Sequence, residues 1–345
     1  MRALKVVAPG PDVLPALRAA LAGGDAVFVG TASDLPRTVE QRVALSADAL
    51  LANAGASESA LGGPGQWVLA LPTHYIAGLN VLTRSLAAGT EPVAVEGEHF
   101  TAAGFVEAAG RMSSPDRYTS LVPAQLATLL DDPAATEVLS GFRRVLVGGQ
   151  ALPAALRSRA REALVPVVRS YGSSETSGGC VYDGVPIGQT EVRVVDGEVQ
   201  LGGPSVAEGY LGDPRLTADR FLEESGMRWF RTADAGTWDG AHLVIEGRRD
   251  DVIISGGVKV SLGAVERLLH EHGFADAVVV KGQDARWGEV PIAFTAQDDD
   301  PAPAIAAIEA ALGPAARPRV RRGSGIPYLP SGKPDRVSLQ AKASN

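Results

Sequence analysis

Val165-Pro-Val-Val-Arg-Ser-Tyr171-Gly-Ser-Ser-Glu-Thr176 is a β-branched run that feeds directly into a polar loop. The loop carries an aromatic ring, two hydroxyls and a carboxylate, a set that can stack on a base, bond to phosphate and hold a divalent ion. Such a loop standing alone is more often a plain turn, so its meaning depends on what flanks it. Upstream the same arrangement recurs. Ala26-Val-Phe-Val-Gly runs into a polar loop from Thr31 to Pro36, Gln66-Trp-Val-Leu-Ala-Leu reads as a strand, and Arg143-Arg-Val-Leu-Val-Gly-Gly is a strand ending in glycines. Between these runs lie helical segments. Pro15-Ala-Leu-Arg-Ala-Ala-Leu-Ala stops at Gly23-Gly24, and Ser46-Ala-Asp-Ala-Leu-Leu-Ala begins with a capping serine. Strands alternating with helices predict a layered α/β fold in which helices cover a sheet and each strand end is a candidate site wall.

Downstream of Thr190 the texture changes. Short β-rich pieces separated by glycines (Glu191 to Val195, Glu198 to Leu201, His242 to Glu246) predict a small antiparallel or barrel-like unit over 191–246. The charged stretch Gly247-Arg-Arg-Asp-Asp then introduces a strand (Val252-Ile-Ile), a Gly256-Gly257 turn, a helix (Leu262 to Glu271) and a strand (Ala277 to Val280). Leu262, Val265, Leu268 and Leu269 share one helical face, and Ser261 can cap the free amides. The chain is therefore expected to divide into a large α/β domain, 1–249, and a small α/β domain, 250–345. Asp298-Asp-Asp-Pro-Ala-Pro reads as a surface loop, Ile305 to Leu312 as a helix and the tail after Arg336 as frayed.

With 345 residues, 45% apolar and 21% charged, the chain can bury a sizeable core. One cysteine, Cys180, excludes an internal disulfide framework and any multi-cysteine zinc site, and fits a cytoplasmic protein. The net charge of -8 argues against a sequence-independent grip on phosphodiester backbones, so nucleic acid is not an expected partner. Neither a signal peptide nor a membrane-spanning run is apparent.

The loop at Tyr171, then Trp229-Phe-Arg-Thr-Ala-Asp-Ala-Gly, then Gly247-Arg-Arg-Asp-Asp-Val-Ile-Ile-Ser-Gly-Gly-Val-Lys-Val, then Leu329-Pro-Ser-Gly-Lys-Pro-Asp-Arg follow one another in an order far more specific than any one of them. Together they resemble the adenylate-forming superfamily of acyl-CoA ligases, luciferases and nonribosomal adenylation domains, from about Ala26 to Arg336. Within it, the short N-terminal part and Leu71-Pro-Thr-His-Tyr-Ile-Ala-Gly-Leu are similar to the compact actinobacterial form of o-succinylbenzoate-CoA ligases of menaquinone biosynthesis. The resemblance implies ATP, Mg2+ and coenzyme A as reactants, a small carboxylic acid as partner, with o-succinylbenzoate favoured, and allows a homodimer.

Residue by residue, it implies that Gly148, Gly149, Gln150, Tyr171 and Gly172 line the adenine pocket, and that Asp234 and Arg248 contact the ribose. Ser173 and Ser174 would help hold phosphate, Glu175 would ligate magnesium, and Lys333 would reach the site from the small domain, a mobile lid turning about a hinge at Asp250. Gly256 and Gly257 would approach the thiol. His74 and Arg84 would serve the acid, whose unreacted carboxylate needs a cation, and Ser177 and Gly178 would form the wall for its ring.

One stretch departs from the family's pattern. The phosphate loop, a run of small hydroxyl and glycine residues ending in Pro-Lys, corresponds here to Val29-Gly-Thr-Ala-Ser-Asp-Leu-Pro-Arg. Thr31, Ser33, Pro36 and Arg37 keep its character, whereas Asp34 sets a negative charge where a tetra-anion should sit. The leading reading is thus a two-step ligase. The alternatives are another aryl- or acyl-CoA ligase, an impaired homologue that binds without efficient turnover, and an adenylation domain that would need a carrier protein.

Overall fold

The computed structural model describes residues 4–7, 13–23, 26–29, 43–97, 99–323, 325–329 and 333–343. Its central sheet has seven strands, in the order Val185–Pro186, Gly178–Tyr182, Val167–Ser173, Arg144–Val147, Arg117–Leu121, Gln66–Leu69, Val93–Ala94. The strands from Val167–Ser173 to Val93–Ala94 run parallel, and the other two are antiparallel additions at one edge. Parallel strands need crossovers, and helices Ile76–Ala87, Ala102–Gly110, Pro123–Leu130, Pro133–Ser140 and Ala154–Glu162 lie between them in the chain.

Because successive side chains point to opposite faces, one strand feeds two cores. Val145 and Val147 pack with Val68, Leu121, Phe105, Leu126, Leu129 and Leu139. Their neighbour Leu146 joins Leu61, Trp67, Val81, Tyr118 and Tyr182 in another core. Trp67 and Tyr118 stack there at 5.0 Å. The helix Ala47–Leu61 is capped by Ser46, whose hydroxyl accepts from the Ala49 amide at 3.2 Å, as the sequence suggests.

A five-stranded antiparallel sheet follows, built from Glu191–Val195, Glu198–Gly202, Met227–Trp238, Phe221–Glu224 and Leu243–Arg248. The strand Met227–Trp238 pairs with three of the others, yet its sequence does not announce it. Arg228, Arg231 and Asp234 interrupt the apolar run, and each is held by partners elsewhere.

A third sheet combines Val258–Ser261, Val252–Ser255, Gly288–Phe294, Val278–Asp284 and Arg319–Arg321. It packs with helices Leu262–Glu271, Ala302–Leu312 and Arg336–Ala343 into cores drawn entirely from residues 253–343. The tail after Arg336 is therefore not frayed: Arg336–Ala343 is a helix, because Leu339 and Ala343, four residues apart, bury one face in the core with Val278, Val280 and Phe294. The mixed α/β character with several sheets agrees with the sequence reading.

Two glycines make opposite predictions. Gly55 lies exposed in the interior of Ala47–Leu61 and a Cβ there meets nothing within 4 Å, so Gly55→Ala should raise stability to chemical denaturation by about 0.5–1 kcal/mol. At Gly65 a Cβ would come within 2.4 Å of the Tyr118 ring and 2.5 Å of the Asp116 carbonyl. Gly65→Ala should lower stability by roughly 1–3 kcal/mol in the same titration.

Candidate active site

The parallel strands Gln66–Leu69, Arg117–Leu121, Arg144–Val147 and Val167–Ser173 all end on the same edge of the central sheet, where open α/β sheets build their sites. His74 follows the first of them, Gly148 and Gly149 the third, and Tyr171 to Ser173 end the fourth. Val147 lies opposite Arg169, which puts Gly148 beside Ser170; a Cβ on Gly148 would approach the Ser170 carbonyl to 2.9 Å. Gly149 takes a left-handed φ of 81°, and Gln150 begins the exit loop.

Tyr171 donates its hydroxyl to Asp234 at 2.6 Å, linking the central sheet to the antiparallel one. Asp234 is paired in register with Arg248, whose guanidinium lies 3.4 Å from the other carboxylate oxygen. The same guanidinium grips Asp250 with two bonds, at 2.8 and 2.6 Å. Burial pushes the Asp234 carboxyl up, while the Tyr171 bond and the Arg248 charge oppose that rise. Tyr171 is raised, first by burial and then by the carboxylate it faces. The bond from Arg248 holds Asp250 below the usual carboxylate range.

Glu175 is buried in the short turn Ser174–Thr176, where the Tyr210 hydroxyl donates to it at 2.7 Å. Tyr210 is raised by burial and by that charge. The other Glu175 oxygen accepts no hydrogen bond among the described residues. One carboxylate with an available oxygen suits magnesium, which is commonly held by one or two carboxylates, substrate phosphates and water. No cluster of three or more potential metal ligands exists among the described residues.

The chain between Ser174 and Gly179 is held from behind by two helices. Asn80 of Ile76–Ala87 donates to the Ser177 carbonyl at 2.7 Å, and Asn53 of Ala47–Leu61 donates to the Gly179 carbonyl at 2.9 Å. Ser177, left-handed at φ 53°, donates its hydroxyl to the Ser205 carbonyl. Glycine is required at 178, where φ is 98° and a Cβ would fall 2.1 Å from the Asn80 amide nitrogen. It is required at 172 as well, where a Cβ would meet the Gly178 oxygen at 2.2 Å. The Ser173 hydroxyl is buried with no partner, as a group kept for a ligand would be.

Arg84 is buried behind this turn. Its Nη2 reaches the Tyr182 hydroxyl at 3.2 Å and Asn53 at 3.4 Å, its guanidinium lies 5.1 Å from the Trp67 ring centre, and its Nε has no partner. No carboxylate among the described residues pairs with it. His74 is half-buried beside Tyr75, and desolvation lowers its pKa, favouring the neutral imidazole.

The structure thus joins Tyr171, Asp234, Arg248 and Asp250 in one chain of contacts, and Glu175, Ser177 and Gly178 in the adjoining turn. Gly256 and Gly257 occupy the exposed turn of the Val252–Ser255 and Val258–Ser261 hairpin, where the Gly256 amide donates to the Trp287 carbonyl at 2.7 Å. The backbone of Lys333 lies in a turn closed by a bridge between Tyr328 and Pro334. Thr31, Ser33, Asp34, Pro36 and Arg37 lie outside the described residues. The sequence reading misses Asn53, Asn80, Tyr210 and Glu198. The two asparagines carry a signal, since this residue type is a poor interior helix former and needs a reason to sit mid-helix.

Residues 42–211 match the family of AMP-binding enzymes. Over 378 aligned residues, spanning 98% of this chain and 97% of the relative, the sequence is 37% identical to a probable 2-succinylbenzoate–CoA ligase of Mycobacterium tuberculosis. The chain belongs to the AMP-binding, adenylate-forming enzymes. A 2-succinylbenzoate–CoA ligase of Listeria innocua is 32% identical over 66% of this chain, which covers half of that protein. Among solved structures, an amide bond synthetase of Marinactinospora thermotolerans superposes with a TM-score of 0.76 at 30% identity, covering 87% of this chain and 67% of that one. The o-succinylbenzoate CoA synthetase of Bacillus subtilis, in complex with its acyl-adenylate intermediate, gives a TM-score of 0.70 at 26% identity, covering 86% and 65%.

Removing the Asn80 amide would strand the buried Ser177 carbonyl. Asn80→Ala should cost about 1–3 kcal/mol in denaturant unfolding, whereas truncating the partly exposed Ser140, whose hydroxyl bonds only the Glu137 carbonyl of its own helix, should change little.

Proposed function

We propose that this chain is an ATP-dependent o-succinylbenzoate–CoA ligase, activating the acid as an acyl-adenylate and passing it to coenzyme A. The observation that carries this reading is the pairing of a nucleotide-type cluster (Tyr171, Asp234, Arg248) with a buried arginine, Arg84, that has no acidic partner among the described residues. The activities named for its relatives, 2-succinylbenzoate–CoA ligation in both bacteria, point the same way.

The acid bears two carboxylates. One reacts: its oxygen attacks the α-phosphorus of ATP, the bond to the β-phosphate breaks, and pyrophosphate leaves with the electron pair. The other must be neutralised without reacting, the task assigned to Arg84. The Asp234 carboxylate accepts from the ribose hydroxyls, an interaction strengthened by its charge, while Tyr171 and Gly148-Gly149-Gln150 enclose the adenine. Ser173 and Ser174 donate to phosphate, with Thr31, Ser33 and Arg37 completing the grip. Glu175 would hold magnesium, which when bound offsets the charge that builds as pyrophosphate leaves. His74, whose burial favours the neutral ring, offers one donor and one acceptor to the acid.

In the second half-reaction the thiol sulfur attacks the acyl carbon and AMP departs with the electrons of the broken bond. Residues 250–345 act as a lid turning about Asp250, first bringing Lys333 to the developing charge, then presenting Gly256 and Gly257, whose small size lets the thiol pass. Cores drawn only from residues 253–343 support treating that segment as a unit. Among the described residues no helix is long and apolar enough to cross a membrane, and the reading places the enzyme in the cytoplasm with its nucleotide substrates.

Pyrophosphate release with ATP and magnesium, assayed across a panel of aromatic and fatty acids with and without coenzyme A, should require o-succinylbenzoate. Release with another acid would keep the ligase and discard this substrate, and silence throughout would favour the impaired homologue that Asp34 suggests. Lys333→Ala should slow acyl-adenylate formation by about 10²–10³ while sparing thioester formation from preformed adenylate. Arg84→Met should raise KM for the dicarboxylic acid by about 10–100-fold and leave KM for a monocarboxylic analogue nearly unchanged.

A further inference from the structure

Asp234 is presented by a backbone that would not hold its shape unaided. In the pairing of Glu198–Gly202 with Met227–Trp238, Glu198 lies opposite Ala235 and Gln200 opposite Arg231, so Thr232, Ala233 and Asp234 face the single residue Val199. Such a bulge re-aims the side chain that follows it. At its centre Ala233 adopts φ 61°, a left-handed conformation in which its Cβ is strained. Both backbone groups of Ala233 are clamped. Its amide donates to the Glu198 carboxylate at 3.2 Å, and its carbonyl accepts from the Arg249 amide at 2.8 Å.

Glu198 is itself nearly sealed, with 5% of its side chain exposed. Its other oxygen takes Arg231 through Nε at 3.0 Å and Nη2 at 2.9 Å, and lies 3.5 Å from Nη1 of Arg249, the residue before the hinge position Asp250. A buried carboxylate bonded to a backbone amide and flanked by two guanidiniums costs desolvation that a mere structural filler would not require.

We infer that Glu198 is a positioning residue: it holds the strained Ala233 turn so that Asp234 meets the nucleotide ribose, and it anchors the body side of the hinge through Arg249. The inference rests on the ligase reading of Asp234. Its specific consequence is that loss of the Glu198 charge impairs nucleotide use and leaves acid recognition alone, because Arg84 and His74 are held by other elements.

The test is Glu198→Gln in the full chain, assayed by pyrophosphate release with o-succinylbenzoate. KM for ATP should rise about tenfold while KM for the acid stays within about twofold. Adding Ala233→Gly, which removes the strained Cβ, should recover much of the loss, since a glycine takes the left-handed turn without being held there. Equal changes in both KM values, or no rescue by Ala233→Gly, would overturn the inference. If Glu198→Gln does not fold, Arg249→Met at a partly exposed side chain carries the same expectation for the two KM values, and an unchanged KM for ATP there would overturn it. Asp234→Asn separates the two levels. If it leaves KM for ATP unchanged, the ribose reading fails; if it raises KM for ATP and Glu198→Gln does not, only the present inference fails.

Discussion

A single guanidinium shared between two carboxylates ties the Tyr171–Asp234 pair to the chain segment that leads into the third sheet. Arg248 faces Asp234 across a strand pair and grips Asp250 two residues further on. The two acids feel it differently. Asp250, more exposed, is held ionised by it, whereas Asp234 lies deeper, where burial disfavours its charge and only Tyr171 and Arg248 oppose that. Any turn about Asp250 must therefore change the environment of a cation on which Asp234 depends. A change of backbone at Asp250 would need no long pathway to reach Asp234, because one side chain touches both.

The turn that follows Tyr171 obeys a second constraint, the satisfaction of buried backbone. A left-handed serine between tight glycines exposes carbonyls that a strand would have paired, and Asn53 and Asn80 supply the missing donors from helices distant in sequence. Each amide is committed to one carbonyl, so the wall of the site is fixed by the packing of both helices on the sheet. This is why glycines at 172 and 178 matter beyond flexibility: a side chain at 178 would press on Asn80 of the covering helix, and one at 172 on the neighbouring strand at Gly178.

The layered α/β fold was legible because parallel strands bury both faces and read as apolar runs, as in Arg144–Val147, and because Ser46 and Ser261 mark helix starts by their caps. That Tyr171, Asp234 and Arg248 belong together was legible because their motifs follow one another in a rare order, and the structure brings the three into contact. What escaped was the support. Asn53 and Asn80 look like imperfections in apolar helices, Glu198 looks like one charge in a β-rich stretch, and Tyr210 follows a glycine in what reads as a turn. Their roles lie in contacts across 33 to 126 positions of sequence, as with the Glu198 bond from Arg231 and the Asn53 bond to Gly179, and no local pattern encodes such a pairing. The helix Arg336–Ala343 was missed for the same reason: its two anchors are too few to announce a helix until the sheet that receives them is known.

Arg84 shows how the two kinds of residue combine. A buried guanidinium is costly, and an acidic neighbour would have been the simplest remedy. Among the described residues the protein instead surrounds it with neutral acceptors, the Tyr182 hydroxyl and the Asn53 carbonyl oxygen, and the face of Trp67. These soften the cost without cancelling the charge, and leave Nε with no partner. An acid in the wall would have stabilised the fold and competed with a carboxylate ligand for the same cation. Asn53 meanwhile bonds the Gly179 carbonyl with its other end, so the arginine and the turn beside Glu175 are aligned by one amide. On the role proposed for Arg84, stability given up there is stability that a carboxylate-bearing substrate would restore.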